Sequence, residues 1–151
     1  MKKAYITIAI LIVVVGVIYV SKTLKKEPLG PVISVIPIKN DIGTVVYGEV
    51  ARYAIKIKNI GDQDLIIQKI STSCGCTKAQ ITESDKIIAP GKEVDVNVSF
   101  DPATHKDDSD MGEIIRMIYI KSNDPKTPEV QSELNAFVIK KEETAATSTK
   151  N

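Results

Sequence analysis

Polar and apolar residues alternate with a period of two through most of this chain. The clearest stretch is residues 93–100, in which Val94, Val96, Val98 and Phe100 alternate with polar neighbours. Successive side chains of a β-strand point to opposite faces of its sheet. The pattern therefore predicts a strand with four apolar side chains facing a core and four polar side chains facing solvent.

Further stretches have the same character and are separated by turns rich in Gly, Pro, Asn and Asp. They are residues 32–36, 42–46, 53–57, 65–71, 114–121 and 130–139. About seven short strands with such turns in about 100 residues are typical of an immunoglobulin-like arrangement of two packed sheets. The predicted fold is therefore all-β, an immunoglobulin-like seven-stranded sandwich in residues 31–139.

The N-terminal region has a different pattern, an uninterrupted uncharged stretch at residues 4–21 with lysines on both sides. A helix needs about 17 to 25 apolar residues to cross a bilayer, so this stretch is predicted to be a single transmembrane helix. A cleaved signal peptide is the alternative, but no small-residue cleavage site follows the stretch. We therefore predict an uncleaved anchor in residues 1–26 and a juxtamembrane linker in residues 27–30, whose Pro and Gly stop the helix.

Charge alone does not orient this segment, because lysines on its two sides nearly balance once the terminal amine is counted. They are Lys2 and Lys3 before it, and Lys22, Lys25 and Lys26 after it. A short N-terminal tail ahead of a large domain usually remains in the cytoplasm. The expected product is a single-pass membrane protein whose C-terminal domain lies outside the cytoplasm.

Composition removes several classes of function. Residues 31–139 contain 12 Lys and Arg against 16 Asp and Glu, a balance of −4, which is the wrong sign for binding nucleic acid. The chain has one His, no Trp and no Gly-rich phosphate loop, so neither a catalytic constellation nor a cofactor site is predicted. Residues 140–151 have no apolar face and are predicted to form a disordered tail.

The two cysteines of the chain are Cys74 and Cys76, separated by Gly75 and followed by Thr77. Such a triplet forms a small disulfide ring, a close thiol pair or a thiolate pair for a soft metal, and its spacing does not choose among them. We expect the cysteines to fix a turn, with Gly75 permitting backbone angles that a larger residue would resist. The alternative is a thiol site, for which Cu(I) is the most tolerant metal. A redox role is disfavoured because no Cys-x-x-Cys helix start is present.

An acidic loop at residues 101–112 is the second candidate region. Its members of interest are His105, Asp107, Asp108 and Asp110. If residues 77–82 form a strand, two chain reversals return this loop to the end of the sandwich that carries the cysteines. The simpler interpretation is that this acidic loop is solvated. The alternative is that it forms a rim beside the cysteines. The loop lacks the ligand spacing of a calcium-binding loop, so no metal site is predicted from it.

Several short motifs occur in one order along the chain. They are Asn59-x-Gly61, Ser73-Cys74-Gly75-Cys76-Thr77, Pro90-Gly91, Val98-Ser99-Phe100-Asp101-Pro102 and Ser122-Asn123-Asp124-Pro125. Together they resemble the bacterial domain-of-unknown-function-1573 family, which is related to Hydin-type immunoglobulin-like domains, over residues 41–138. The resemblance implies an extracytoplasmic bacterial domain with a seven-stranded sandwich, commonly tethered to a membrane and without an established reaction.

The resemblance carries over only Cys74, Gly75, Cys76 and Thr77 as site positions. After residue 102 the chain departs from the family pattern, because the longer acidic loop replaces a short turn. With this resemblance, the predicted location is a bacterial inner membrane with the domain facing the periplasm.

Two functions from different classes fit these observations. The first is a membrane-anchored structural or interaction module that binds an unidentified protein through loops and edge strands. The second is a thiol site at Cys74 and Cys76 for Cu(I) binding or redox chemistry. We favour the first, because the sequence offers no set of base, acid and cofactor residues for an enzyme. The expected partners are a protein and the membrane, through residues 4–21, and not nucleic acid.

Overall fold

Apolar residues at alternate positions bring two β-sheets together in the computed structural model, which describes Val14 and residues 30–105 and 108–141. The buried residues form two hydrophobic clusters, and Tyr53 packs against both. The strands in these residues are β1 (Ile33–Ile36), β2 (Lys39–Val46), β3 (Ala51–Asn59), β4 (Leu65–Thr72), β5 (Thr77–Gln80), β6 (Ile87–Ile88), β7 (Glu93–Phe100), β8 (Gly112–Ser122) and β9 (Glu129–Ile139). The first sheet has the order β1-β3-β7-β5, and the second has the order β2-β9-β8-β4-β6. Two short 3-10 helices, Glu83–Lys86 and Asp108–Asp110, lie in the connections.

The predicted all-β sandwich is confirmed, and residues 93–100 form β7 with the predicted bounds. Val96, Val98 and Phe100 are buried, whereas Asp95 and Asn97, which each precede a buried valine, are exposed. β7 lies between β3 and β5 in its sheet and pairs antiparallel with both. The burial of one face of a central strand explains why its sequence alternates so regularly.

The prediction of seven strands is wrong, because the described residues contain nine. The N-terminal part of the sandwich crosses between the sheets, so that β1 pairs with β3 and β2 pairs with β9. β6 is only two residues long, too short to show any periodicity. β5 ends at Gln80, two residues before its predicted end. The pairing of β2 with β9 is parallel, which the alternation of side chains does not indicate.

The strands define two ends of the sandwich. The cysteine end contains the last residue of β4, the first residue of β5, the end of β7 at Phe100 and the start of β8 at Gly112. The opposite end contains the start of β1 at Ile33 and the end of β3 at Asn59, which are paired in the first sheet. The described domain therefore begins at the opposite end, far from the cysteines.

Asn59 organises the opposite end from a fully buried position, with no exposed surface. Its side-chain amide donates to the carbonyl oxygens of Gln63 at 2.7 Å and Ile88 at 2.8 Å. Its side-chain oxygen accepts the N–H of Gly61 at 2.9 Å. A Cβ atom on Gly61 would lie 2.1 Å from the carbonyl oxygen of Gly30, so only glycine fits there. The Asn-x-Gly motif is therefore a structural turn.

Asp124 joins β1 to the turn between β8 and β9. Its carboxylate is only 2% exposed and accepts backbone N–H groups from Ile33 at 3.0 Å, Lys126 at 2.8 Å and Thr127 at 3.1 Å. Burial pushes the pKa of Asp124 up, but the hydrogen bonds from Ile33, Thr127 and Lys126 outweigh it and leave the pKa below its ordinary value. The Asn-Asp-Pro motif thus ties β1 to the second sheet.

We expect Asp124→Asn to lower the free energy of unfolding by about 1–3 kcal/mol at neutral pH, because charged acceptors make the stronger hydrogen bonds. A depressed folded-state pKa stabilises the protein above the unfolded-state pKa of about 3.9, and this contribution is lost as the pH falls through the folded-state pKa. The difference in Tm between the two proteins should therefore be constant above about pH 5 and shrink below about pH 4. Thermal unfolding measured over this pH range checks the prediction. A Tm difference that is the same at both ends of the pH range would contradict this assignment.

None of the helices in the described residues is long and apolar enough to cross a membrane. The predicted transmembrane segment at residues 4–21 lies outside the described residues except for Val14. The predicted tail also lies outside them beyond residue 141.

Candidate functional site

Cys74 and Cys76 form a disulfide ring in the turn between β4 and β5. Their Cα atoms are 5.2 Å apart, within the range of about 4.4–6.8 Å that disulfides span. The hydroxyl of Thr72 fixes the turn, because its one proton is shared between the carbonyl oxygens of Cys74 at 3.0 Å and Thr77 at 2.8 Å. Of the alternatives open from the sequence, the described state is the ring disulfide.

Gly75 does not have the role expected from the sequence. Its backbone is not among the glycines with positive φ, and a Cβ atom built on it would meet no atom within 4 Å apart from its chain neighbours. The backbone of the ring therefore accepts a larger residue, and the expectation that Gly75 permits backbone angles that a larger residue would resist is wrong. The space beside Gly75 itself is open.

The acidic loop folds onto the ring through His105 and Asp110. His105 Nε2 lies 3.9 Å from Cys74 Sγ, and His105 Nδ1 lies 2.7 Å from Asp110 Oδ2. Asp110 is 1% exposed, so the interpretation of a solvated acidic loop is wrong for this residue. The loop closes over the cysteine end because a buried carboxylate requires partners that its neighbours supply.

Arg116 on β8 supplies the second partner of Asp110. Its guanidinium donates to Asp110 Oδ1 and, through Nε, to Cys76 Sγ at 3.3 Å. It also donates to the carbonyl oxygen of Ile115 at 2.9 Å. Arg116 thus lies beside the sulfur of Cys76, and His105 lies beside the sulfur of Cys74.

The two sulfurs differ in exposure. Cys76 is 2% exposed and packs with Phe100 and Leu134 in the core at this end, whereas Cys74 is half-buried at its surface. The backbone N–H of Cys76 donates to Cys74 Sγ at 3.1 Å. A molecule that reaches this site therefore meets Cys74 first.

The hydrogen-bond pattern also assigns the tautomer of neutral His105. An ionised carboxylate accepts hydrogen bonds but has no proton to donate, and Asp110 is ionised beside the guanidinium of Arg116. The proton between His105 and Asp110 therefore belongs to Nδ1 of His105. Nε2, the nitrogen that faces Cys74, then carries the lone pair and is basic.

A cation would find three candidate ligand atoms here, one each from Cys74, His105 and Asp110, all within 4.8 Å of one another. Two features oppose metal binding in the described state. Thiolates, not disulfide sulfurs, are the soft ligands of Cu(I) and Zn²⁺, and the guanidinium of Arg116 already neutralises Asp110. The structure therefore gives no support to the Cu(I) alternative.

The remaining predicted site residues are distributed as follows. Thr77 is buried at the start of β5, with its hydroxyl oxygen 3.8 Å from Cys76 Sγ. Asp107 lies outside the described residues, and Asp108 begins a 3-10 helix, but its side chain is not described. The sequence analysis did not identify Arg116, although its position in β8 distinguishes it. The inward side chains of β8 are Ile114, Ile118 and Ile120. Arg116 occupies the inward position between Ile114 and Ile118.

These features define a β-sandwich domain, consistent with a structural or interaction module, that carries a disulfide ring at one end. The chain belongs to the family described as protein of unknown function (DUF1573), whose model matches residues 35–138. The resemblance seen in the sequence motifs is thereby confirmed. No curated protein matches the chain.

Solved structures show the same fold. A protein of unknown function from Porphyromonas gingivalis W83 is 23% identical with a TM-score of 0.64, over 76% of this chain and 50% of that one. The ASH/PapD-like domain 7 of human CEP192 is 12% identical with a TM-score of 0.55, over 79% and 93%. The VesB protease of Vibrio cholerae is 13% identical with a TM-score of 0.55, over 70% and 31%. This chain therefore spans half of the Porphyromonas gingivalis protein and under a third of VesB.

Proposed function

We propose that this protein is a membrane-anchored interaction module that holds an extended segment of a partner protein outside the cytoplasm. The observation that carries the proposal is an open groove of about 440 Å³ beside the free edge of β5. β5 is the last strand of its sheet and pairs only with β7 among the described strands. Thr77 already bonds Cys74 and Thr72 through its N–H and carbonyl oxygen. The outer edge of β5 beyond Thr77 is therefore the part available to another strand.

The groove has the surfaces that strand addition requires. It lies between β4, the 3-10 helix Glu83–Lys86 and β5, and half-buried Ile70, Ala79 and Ile81 line it together with Lys69 and Lys86. In strand addition, main-chain hydrogen bonds to the edge supply affinity, and pockets for alternate side chains supply specificity. Lys86 is already paired with Glu83, which also lines the groove. We therefore infer a partner segment with apolar side chains facing the groove and an acidic group near Lys69.

The longer edge strand β2 is less suited to this role. β2 is also an edge strand, but its pairing with β9 is irregular between Asp41 and Thr44. An irregular edge twists away from a flat partner strand, which is one way that proteins protect their edges. The groove beside β5 is thus the better docking site.

Attachment to the membrane rests on residues 4–21, whose uncharged length suits one crossing. The absence of a small-residue cleavage site supports retention of this segment. A domain outside the cytoplasm agrees with the ring disulfide, since such bonds persist in oxidising compartments.

Site-specific photo-crosslinking in intact cells of the native host tests both parts. We expect a photoreactive residue at exposed Gln80, which lines the groove, to give one dominant adduct, and the same residue at exposed Asp95 to give none. Lys69→Glu should weaken the Gln80 adduct by about tenfold through charge repulsion. Protease added outside the cells after disruption of any outer membrane should remove the adduct. Equal adducts at Gln80 and Asp95 would exclude the groove as the docking site. Protection of the adduct from protease would exclude a domain outside the cytoplasm.

A further inference from the structure

We propose that Cys74 and Cys76 form a thiol–disulfide exchange site, which accepts two electrons from a dithiol of a partner protein. This activity goes beyond the interaction module and does not depend on the groove beside β5. It rests on a constellation that a purely structural ring does not need. Each sulfur has a basic side chain beside it, and one buried carboxylate contacts both of those side chains.

The difference in exposure decides which sulfur is attacked. In exchange, a thiolate attacks one sulfur of the disulfide, and the other sulfur leaves. Cys74 is half-buried with open space beside Gly75, whereas Cys76 is 2% exposed. The incoming thiolate therefore attacks Cys74 Sγ, and Cys76 Sγ leaves.

Arg116 stabilises the leaving group. A thiolate released at a buried position is unfavourable unless a charge compensates it. Arg116 Nε is 3.3 Å from Cys76 Sγ, and its guanidinium is held in place by Asp110 and by the carbonyl oxygen of Ile115. A guanidinium stays protonated at all relevant pH values and stabilises a neighbouring thiolate.

His105 serves as the base for the incoming thiol. Its Nε2 carries the lone pair and faces Cys74, 3.9 Å from the sulfur under attack. A thiol that approaches Cys74 passes within reach of this nitrogen, which removes its proton. Asp110 is a positioning residue, because it holds the imidazole through Nδ1 and the guanidinium of Arg116 without contacting either sulfur.

The reaction balances in two steps. First, the proton of the partner's thiol moves to His105 Nε2, its sulfur bonds to Cys74 Sγ, the Cys74–Cys76 bond breaks, and the electron pair of that bond goes to Cys76. Second, the partner's other thiol attacks its own sulfur in the mixed disulfide, and Cys74 leaves and takes the proton from His105. The proton of this second thiol reaches the Cys76 thiolate through water. The partner becomes a disulfide, and the ring becomes two thiols.

The fold does not depend on the bond that is exchanged. In the chain-entropy model, closing a loop of three residues stabilises a protein by only about 1.6 kcal/mol. This contribution is small beside a typical unfolding free energy of about 5–15 kcal/mol. The ring can therefore be reduced while the sandwich stays folded, as a cycle of exchange requires.

The rate of reduction of the full chain by dithiothreitol, a small dithiol, tests the proposal. The readout is acid quenching, alkylation and mass spectrometry at about pH 6.5 and about pH 9.5, on either side of the ordinary thiol pKa of about 8.5. His105→Asn keeps an N–H for Asp110 but has no basic nitrogen, so it should react about tenfold more slowly at the lower pH. At the higher pH the attacking thiol is already ionised, and the variant should match the wild type.

Arg116→Gln should react about tenfold more slowly at both pH values, because exchange slows as the leaving thiolate becomes less stable. Arg52→Gln changes the only other arginine of the chain, which is exposed on β3 and separated from β5 by β7, and should react as the wild type. If His105→Asn and Arg116→Gln both match Arg52→Gln, the ring is structural only. If the defect of His105→Asn is the same at both pH values, His105 is not the base.

Two single-cysteine variants test the attacked sulfur and leave His105, Asp110 and Arg116 in place. Cys76→Ala should form a mixed disulfide with oxidised glutathione at Cys74. Cys74→Ala should stay at least about tenfold less modified, because access limits exchange and Cys76 is buried. Equal modification, or faster modification of Cys76, would overturn the assignment even if Arg116→Gln failed to fold.

Discussion

Asn59→Ala is expected to lower the free energy of unfolding by about 3 kcal/mol or more, a large part of a typical domain's stability. The substitution leaves the carbonyl oxygens of Gln63 and Ile88 and the N–H of Gly61 without their buried partner. Each such group costs about 1–3 kcal/mol, and the space left by the amide adds a cavity term.

Urea unfolding of the variant measures this loss. Asn97→Ala is the matched control, because Asn97 is an exposed asparagine on the polar face of β7, and it should change stability by less than about 0.5 kcal/mol. If Asn59→Ala unfolds within about 1 kcal/mol of the wild type, the motif does not hold the opposite end together.

Asp110→Ala is expected to cost about 3 kcal/mol at the cysteine end. The substitution removes a carboxylate that is 1% exposed and leaves the charge of Arg116 without its ionic partner. Removing one member of a buried ion pair costs about 3–5 kcal/mol, and the lower value applies because the side chain of Arg116 is 21% exposed. The loss should appear in thermal and urea unfolding alike.

Asp95→Ala is the control for this prediction, since Asp95 makes an ion pair with Lys56 in which both side chains are at least half exposed. Such surface pairs contribute about 0–1 kcal/mol. Asp110→Asn, which keeps the shape but not the charge, should lie between the wild type and the alanine variant. If Asp110→Ala and Asp95→Ala cost the same, the carboxylate of Asp110 does not stabilise the loop.

The sequence predicted those elements in which one face of a strand is buried along its whole length. β7 was found with its bounds, because its burial alternates residue by residue. β6 was missed, because two residues cannot display a period. The division of the first strands between two sheets and the parallel pairing of β2 with β9 were also missed. Periodicity reports which face of a strand is buried, but not which strand lies beside it.

The site was predicted in part for a similar reason. Cys74 and Cys76 were visible because they are the only cysteines, and His105 because it is the only histidine. Asp110 was not distinguished from the other acidic residues of the loop, since the local sequence does not show which carboxylate is buried. Arg116 was identifiable in principle as a charge on the inward face of β8. Its pairing with Asp110 across the loop depends on tertiary contacts that no local pattern encodes.

The two ends of the sandwich determine how far the disulfide lies from the point at which the described chain enters. That point is the end at which Ile33 pairs with Asn59, and the ring precedes Thr77 at the other end, level with Ala51 of β3. Eight residue steps of β3 separate these ends, so at about 3.3 Å per residue the ring lies roughly 25–30 Å beyond the entry point. If the proposed anchor precedes residue 30 and Cys74 exchanges electrons as proposed, a thiol at the lipid surface lies too far away. The expected partners then extend into the aqueous compartment or are dissolved in it.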